Sequence, residues 1–194
     1  ALSVGDAAPL LALPSSTVVA ALTRTSKATR EASAKSLSEG VAELFGDRLA
    51  KPEREKLDQA LGELSAGRGD WETYGLLLGG GKGGLVYRAG LSDGKAFDSG
   101  AKSLFRMLAI KAFSEPLRQF IGDVNVKQSS ATIPGINGNA QRALITVKPS
   151  GMRAQLDKTG KTGAEPQTLE ALWWLDSGKA YGALSPDAVP VLAS

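Results

Sequence analysis

The side chains able to do chemistry in this chain are Asp, Glu, Lys, Arg, Ser and Tyr, because histidine and cysteine are both absent from its 194 residues. That absence removes disulfides, thiolate nucleophiles, Cys/His zinc centres, haem ligation through imidazole and every triad that needs a histidine base. The carboxylates Asp93, Asp98 and Glu115 show no fixed pairing of the kind that two-acid catalysis requires. No catalytic, cofactor-binding or metal-ligating residue is therefore assigned from the sequence, and no cofactor is expected.

Two glycine segments carry phosphate-like patterns. Gly79, Gly81 and Gly84 spell G-x-G-x-x-G around Lys82, a spacing that lets backbone amides approach a pyrophosphate when a helix follows at once. Here Leu85-Val86-Tyr87 reads as a strand. The segment is expected to be a hairpin loop, with Lys82 as a candidate anion contact. Thr159-Gly160-Lys161-Thr162 resembles the end of a P-loop, but Gln155 stands where its first glycine belongs.

Charge is uneven. Residues 101 to 161 hold 10 Lys/Arg against 3 Asp/Glu, whereas residues 1 to 100 hold 12 against 13. The basic block either faces an acidic partner or is a solvated, loop-rich segment. Arg142, Lys148 and Arg153 lack neighbouring aromatics on which bases could stack, so nucleic acid is not an expected partner. The adjacent Trp173 and Trp174 project to opposite faces of a strand. One of them is expected to point outward as a contact candidate, unless the N-terminal helices cover it.

The stretch Val86-Tyr87-Arg88-Ala89-Gly90-Leu91-Ser92-Asp93-Gly94-Lys95-Ala96-Phe97-Asp98-Ser99 resembles the strand-turn-strand segment of the FK506-binding prolyl isomerases, and Ala180-Tyr181-Gly182-Ala183 is similar to that family's Ala-Tyr-Gly turn. The likeness covers under a tenth of the chain. It implies that Tyr87, Phe97, Asp98 and Tyr181 would surround a prolyl ring.

These residues must be positioned by the elements around them. Residues 1–16, with Pro9, Pro14 and the Ser15-Ser16 pair, read as an extended arm. Residues 17–70 read as a helical hairpin: the Ala/Lys/Glu/Leu-rich run 17–49 carries Leu37, Val41, Leu44 and Phe45 on one stripe and stops at Gly46. Pro52 and Glu53 then open a second helix bearing Leu57, Leu61 and Leu64.

Residues 71–194 form the sheet region. Strands are expected at 74–78, 85–88, 124–127 and 143–147, helices from about 101 to 113 and 114 to 122, and a closing hairpin of 172–175 with 181–184. Ser92-Asp93-Gly94-Lys95 reads as a hairpin turn. The expected architecture is α+β: an N-terminal helical hairpin packed on a small, mainly antiparallel sheet with one or two further helices, in one compact unit. No apolar run approaches the length of a membrane span.

Ala1 and the small residues after it match a chain whose leader has been removed, and the lack of cysteine suits an oxidising compartment. The leading expectation is an exported, non-enzymatic accessory or binding protein (periplasm, cell exterior or organelle lumen) that works through contacts with another protein or a larger assembly. A divergent FK506-binding-type prolyl isomerase and a small-molecule or lipid carrier are the alternatives. Lys82, Tyr87, Asp98, Trp173, Trp174 and Tyr181 are the candidate contact residues, and oligomeric state is left open.

Overall fold

The structure, a computed structural model, describes residues 6–79, 82–120, 122–133, 136, 139–148 and 166–185. A short helix α1 (Ala8–Leu11) leads into strand β1 (Thr17–Arg24), helix α2 (Lys27–Phe45), a single 3₁₀ turn (Gly46–Arg48) and helix α3 (Lys51–Gly67). The hairpin β2 (Arg68–Gly79) and β3 (Lys82–Leu91) follows, then α4 (Gly94–Met107) and α5 (Lys111–Phe120). The chain closes through β4 (Asp123–Thr132), β5 (Asn139–Lys148), β6 (Gln167–Asp176) and β7 (Lys179–Leu184).

The α+β class holds, but the sheet is not small. Seven strands pair in the order β1-β2-β3-β7-β6-β5-β4, every neighbouring pair antiparallel. Nor does a helical hairpin precede the sheet, because Thr17–Arg24, read from sequence as the first part of a helix, is the strand at one sheet edge. Its β-branched start, Thr17-Val18-Val19, outweighs the alanines that follow, since such side chains fit a pleated surface and lose rotamers in a helix. Helices α2 and α3 are thus inserted between two paired strands, β1 and β2.

Local signals set the helix ends. The Ser26 hydroxyl accepts from the Thr29 amide at 3.1 Å to cap α2. At its other end Gly46 takes φ +54°, a left-handed stop that suits glycine. Pro52 sits in the first turn of α3.

The segment expected to be a turn at Ser92–Lys95 is a helix start instead. The Asp93 carboxylate accepts from the amides of Lys95 (2.9 Å) and Ala96 (3.1 Å) and launches α4. The strand-turn-strand likeness to the prolyl isomerases is accordingly corrected to strand-cap-helix, with Phe97 and Asp98 on the first turns of α4. Replacing Asp93 by Ala should cost about 1 kcal/mol, and Asp93→Asn much less, because only the acceptor oxygen is needed; urea unfolding of the two variants checks it.

The closing hairpin is as expected. Asp176 and Lys179 pair across a two-residue loop in which Ser177 (φ +48°) and Gly178 (φ +73°) both take positive φ, the twist that tight antiparallel hairpins favour.

Each face of the sheet carries a core cluster away from the β1 edge. On one lie Leu77, Val86, Leu172, Trp174 and Ala183, packed with Leu13 and Ile133. On the other Ala143, Ala171, Trp173 and Ala180 pack with Phe97, Leu64, Ala101 and Phe105 of α3 and α4. A third cluster joins α2, α3 and the α4–α5 corner through Ala42, Leu57, Leu61, Met107 and Phe113. No helix of the described residues is long and apolar enough to cross a membrane.

Candidate functional site

Between the helices and the sheet lies a cavity of about 490 Å³, within the range of small-molecule pockets. Leu64 of α3 and Phe97, Ala101, Leu104 and Phe105 of α4 form one wall. The other wall is sheet: Leu85 and Tyr87 on β3, Ala171 and Trp173 on β6, Gly182 and Leu184 on β7. Tyr74 and Leu85 stand at the solvent rim, 42% and 48% exposed.

Its one polar corner is built by an irregularity. Arg68 pairs with Leu91 and Glu72 with Ala89, so four residue steps of β2 run beside two of β3. In a regular strand side chains four residues apart are separated by roughly 13 Å; here the bulge contracts the strand and brings Arg68 Nη1 to 3.1 Å from Glu72 Oε2. Two glycines admit it. A Cβ on Gly69 would lie 2.9 Å from the Gly90 carbonyl carbon, and one on Gly90 2.7 Å from Trp71 Nε1. The Tyr87 hydroxyl donates to the same Glu72 oxygen at 3.3 Å. Tyr74 packs on Tyr87 with ring centroids 5.3 Å apart, and Tyr87 stacks on Phe97 at 6.4 Å.

Burial, then the charge and hydrogen bonding of Glu72, push the Tyr74 phenol up from 10.0 to about 12, with Arg68 opposing. Burial, followed by the Glu72 charge, raises the Tyr87 phenol further. Both are neutral hydrogen-bond donors near neutral pH. Because a phenol with a raised pKa keeps its proton longer in the folded chain than in the unfolded one, its contribution to stability is whole below pH 10 and is lost as pH climbs towards 12 and beyond. Stability should therefore decline across that window, and less steeply in a Tyr74→Phe/Tyr87→Phe double variant. Urea unfolding at stepped alkaline pH, with tyrosinate absorbance read alongside, checks this.

The sequence-derived candidates scatter. Tyr87 and Trp173 line the cavity. Asp98 stands behind its wall, accepting from Trp173 Nε1 at 3.1 Å and pairing with Lys102. Tyr181 lies on the opposite sheet face, stacked on Trp174 at 5.3 Å with the Arg88 guanidinium over its ring. The four residues that the prolyl-isomerase likeness groups are thus divided between two faces.

Neither tryptophan points outward: Trp173 is 6% exposed and Trp174 4%. Trp174 is covered by the packing around Leu13, Ile133 and Ile136 rather than by α2 and α3. Lys82 pairs with Gly79 to end the β2–β3 hairpin, but its side chain and residues 80–81 lie outside the described residues, as does the 159–162 segment. Within the basic block, Arg142 pairs with Glu170 and Arg118 with Asp123, each at 2.8 Å.

Arg68, Glu72 and Tyr74 were not candidates from sequence. Their only signal was an Arg and a Glu four apart at a helix-to-strand junction, which means little without the bulge. Among the described residues no cluster of three or more Asp or Glu could hold a metal ion. Comparison with known proteins returns no matching family model, curated protein or solved structure.

Proposed function

We propose that the chain binds a small apolar ligand between α3, α4 and the sheet, acting as a carrier or ligand-binding protein rather than an enzyme. The observation behind this reading is the cavity itself: about 490 Å³, walled mostly by aliphatic and aromatic side chains, with Arg68, Tyr74 and Tyr87 gathered at one polar corner that Glu72 backs. Such a site gains affinity by removing apolar ligand surface from water, at roughly 25 cal/mol per Å². A neutral naphthylamine fluorophore should bind saturably, with energy transfer from Trp173 in the wall. Ala101→Phe, which places a ring in the cavity, should abolish that binding while circular dichroism stays unchanged. Absence of saturable binding, or equal binding by the Ala101→Phe protein, would defeat the reading.

A role through protein contacts draws support from a different place. Among the described residues the outer edge of β1 has no strand beside it, and Val18 and Val19 are 55% and 62% exposed there. Unpaired, apolar edge strands invite pairing with another chain. Light scattering on native and Val19→Lys protein separates the two readings, since only an edge-mediated assembly would dissociate.

A further inference from the structure

We propose that the ligand is an uncharged apolar molecule carrying a hydrogen-bond-accepting oxygen, such as a ketone or ester, that meets the Arg68 corner. The inference rests on reading the cavity as a ligand site and adds the chemistry of the ligand's polar end.

The argument is a count of donors and charges. Glu72 Oε2 already receives Arg68 Nη1 at 3.1 Å and the Tyr87 hydroxyl at 3.3 Å, and Glu72 also bonds the Tyr74 hydroxyl. Its accepting capacity is largely committed. The donors are not: a guanidinium has five N–H groups, Nη1 reaches Glu72, and the Arg68 side chain lines the cavity and keeps part of its surface open. Arg68 is the one arginine among the described residues that line this cavity. The corner therefore carries surplus donors and calls for an acceptor.

Charge decides which acceptor. The Arg68 and Glu72 side chains are 22% and 14% exposed and already neutralise each other. A carboxylate head would bring a second anion to a site that holds one, where screening by water is weak and its own desolvation is costly. A carbonyl oxygen accepts from the guanidinium at no such cost.

The test is a displacement series against the naphthylamine fluorophore with decane, methyl decanoate and decanoate at neutral pH. The ester should bind roughly tenfold more tightly than the hydrocarbon, the worth of one hydrogen bond to a charged donor, and more tightly than the acid anion. Glu72→Gln, which removes the counter-charge, should move the preference towards decanoate by about tenfold. If decanoate binds the native protein at least as tightly as the ester, or if decane equals the ester, the inference is overturned while the cavity reading stands. If none of the three binds, both fall. The native series decides even should the Glu72→Gln protein fail to fold.

Discussion

Gly100→Ala is expected to destabilise the protein by about 2 kcal/mol, whereas Gly62→Ala, in the helix against which Gly100 packs, is expected to stabilise it by up to about 1 kcal/mol. The two substitutions add the same methyl group to an α-helix, and on propensity alone both should be favourable. They differ in what the new Cβ meets. At Gly100 it would lie 2.6 Å from Leu64 N, 2.7 Å from Ala60 O and 3.0 Å from Leu64 Cα, all backbone of α3, which no side-chain rotation can relieve. At Gly62 it meets nothing within 4 Å.

The close approach of α4 to α3 thus depends on Gly100, and a neighbouring crossing repeats the requirement: a Cβ on Gly67 would sit 2.3 Å from Phe97 N. Forcing α3 and α4 apart also displaces Leu64, Phe97 and Ala101 from the cavity wall. Naphthylamine binding should therefore weaken in Gly100→Ala and be retained in Gly62→Ala. Urea titrations of both proteins supply the check; stabilisation by both substitutions would mean that the helices do not meet at Gly100.

Why the sequence yields some of this and not the rest follows from where each signal resides. Asp176-Ser177-Gly178-Lys179 specifies its hairpin within four residues, because the turn needs positive φ and the chain supplies residues that accept it. Gly46 and Pro52 mark the α2–α3 junction in the same local way. Strand β1 eluded that logic: alternation is the usual strand signature, but Val18, Val19, Ala20 and Ala21 are all exposed, so burial imposes no period on them.

At Asp93-Gly94 one dipeptide serves two structures, an Asp-Gly turn and an Asp N-cap. What separates them is the downstream spacing of Phe97, Ala101 and Phe105, a helical stripe facing the sheet. The cavity was less legible still. Its walls come from α3, α4, β3, β6 and β7, and its polar corner exists only because Gly69 and Gly90 permit a bulge that doubles Arg68 back on Glu72.

Trp173→Ala should cost about 3–5 kcal/mol, the largest loss expected from any single truncation on the helix-facing side of the sheet. Three contacts combine in that indole. It is buried, it stacks on Phe105 with centroids 5.1 Å apart at 17°, and its Nε1 donates to Asp98 Oδ1 at 3.1 Å. The first two join β6 to α4 through dispersion and ring contact, the stack itself being worth about 1 kcal/mol. The third is a hydrogen bond to a carboxylate that Lys102 holds from its other oxygen. Trp173→Phe separates these contributions, since a phenyl ring keeps most of the stacking surface but leaves Asp98 Oδ1 without its donor; a loss of about 2 kcal/mol is expected. Because the same ring walls the cavity, Trp173→Ala should also enlarge the site and change its affinity for the naphthylamine, whereas the neighbouring truncation Trp174→Ala, on the opposite sheet face, should leave that affinity unchanged. Equal naphthylamine affinities in the two alanine variants would show that Trp173 is not part of the ligand's enclosure.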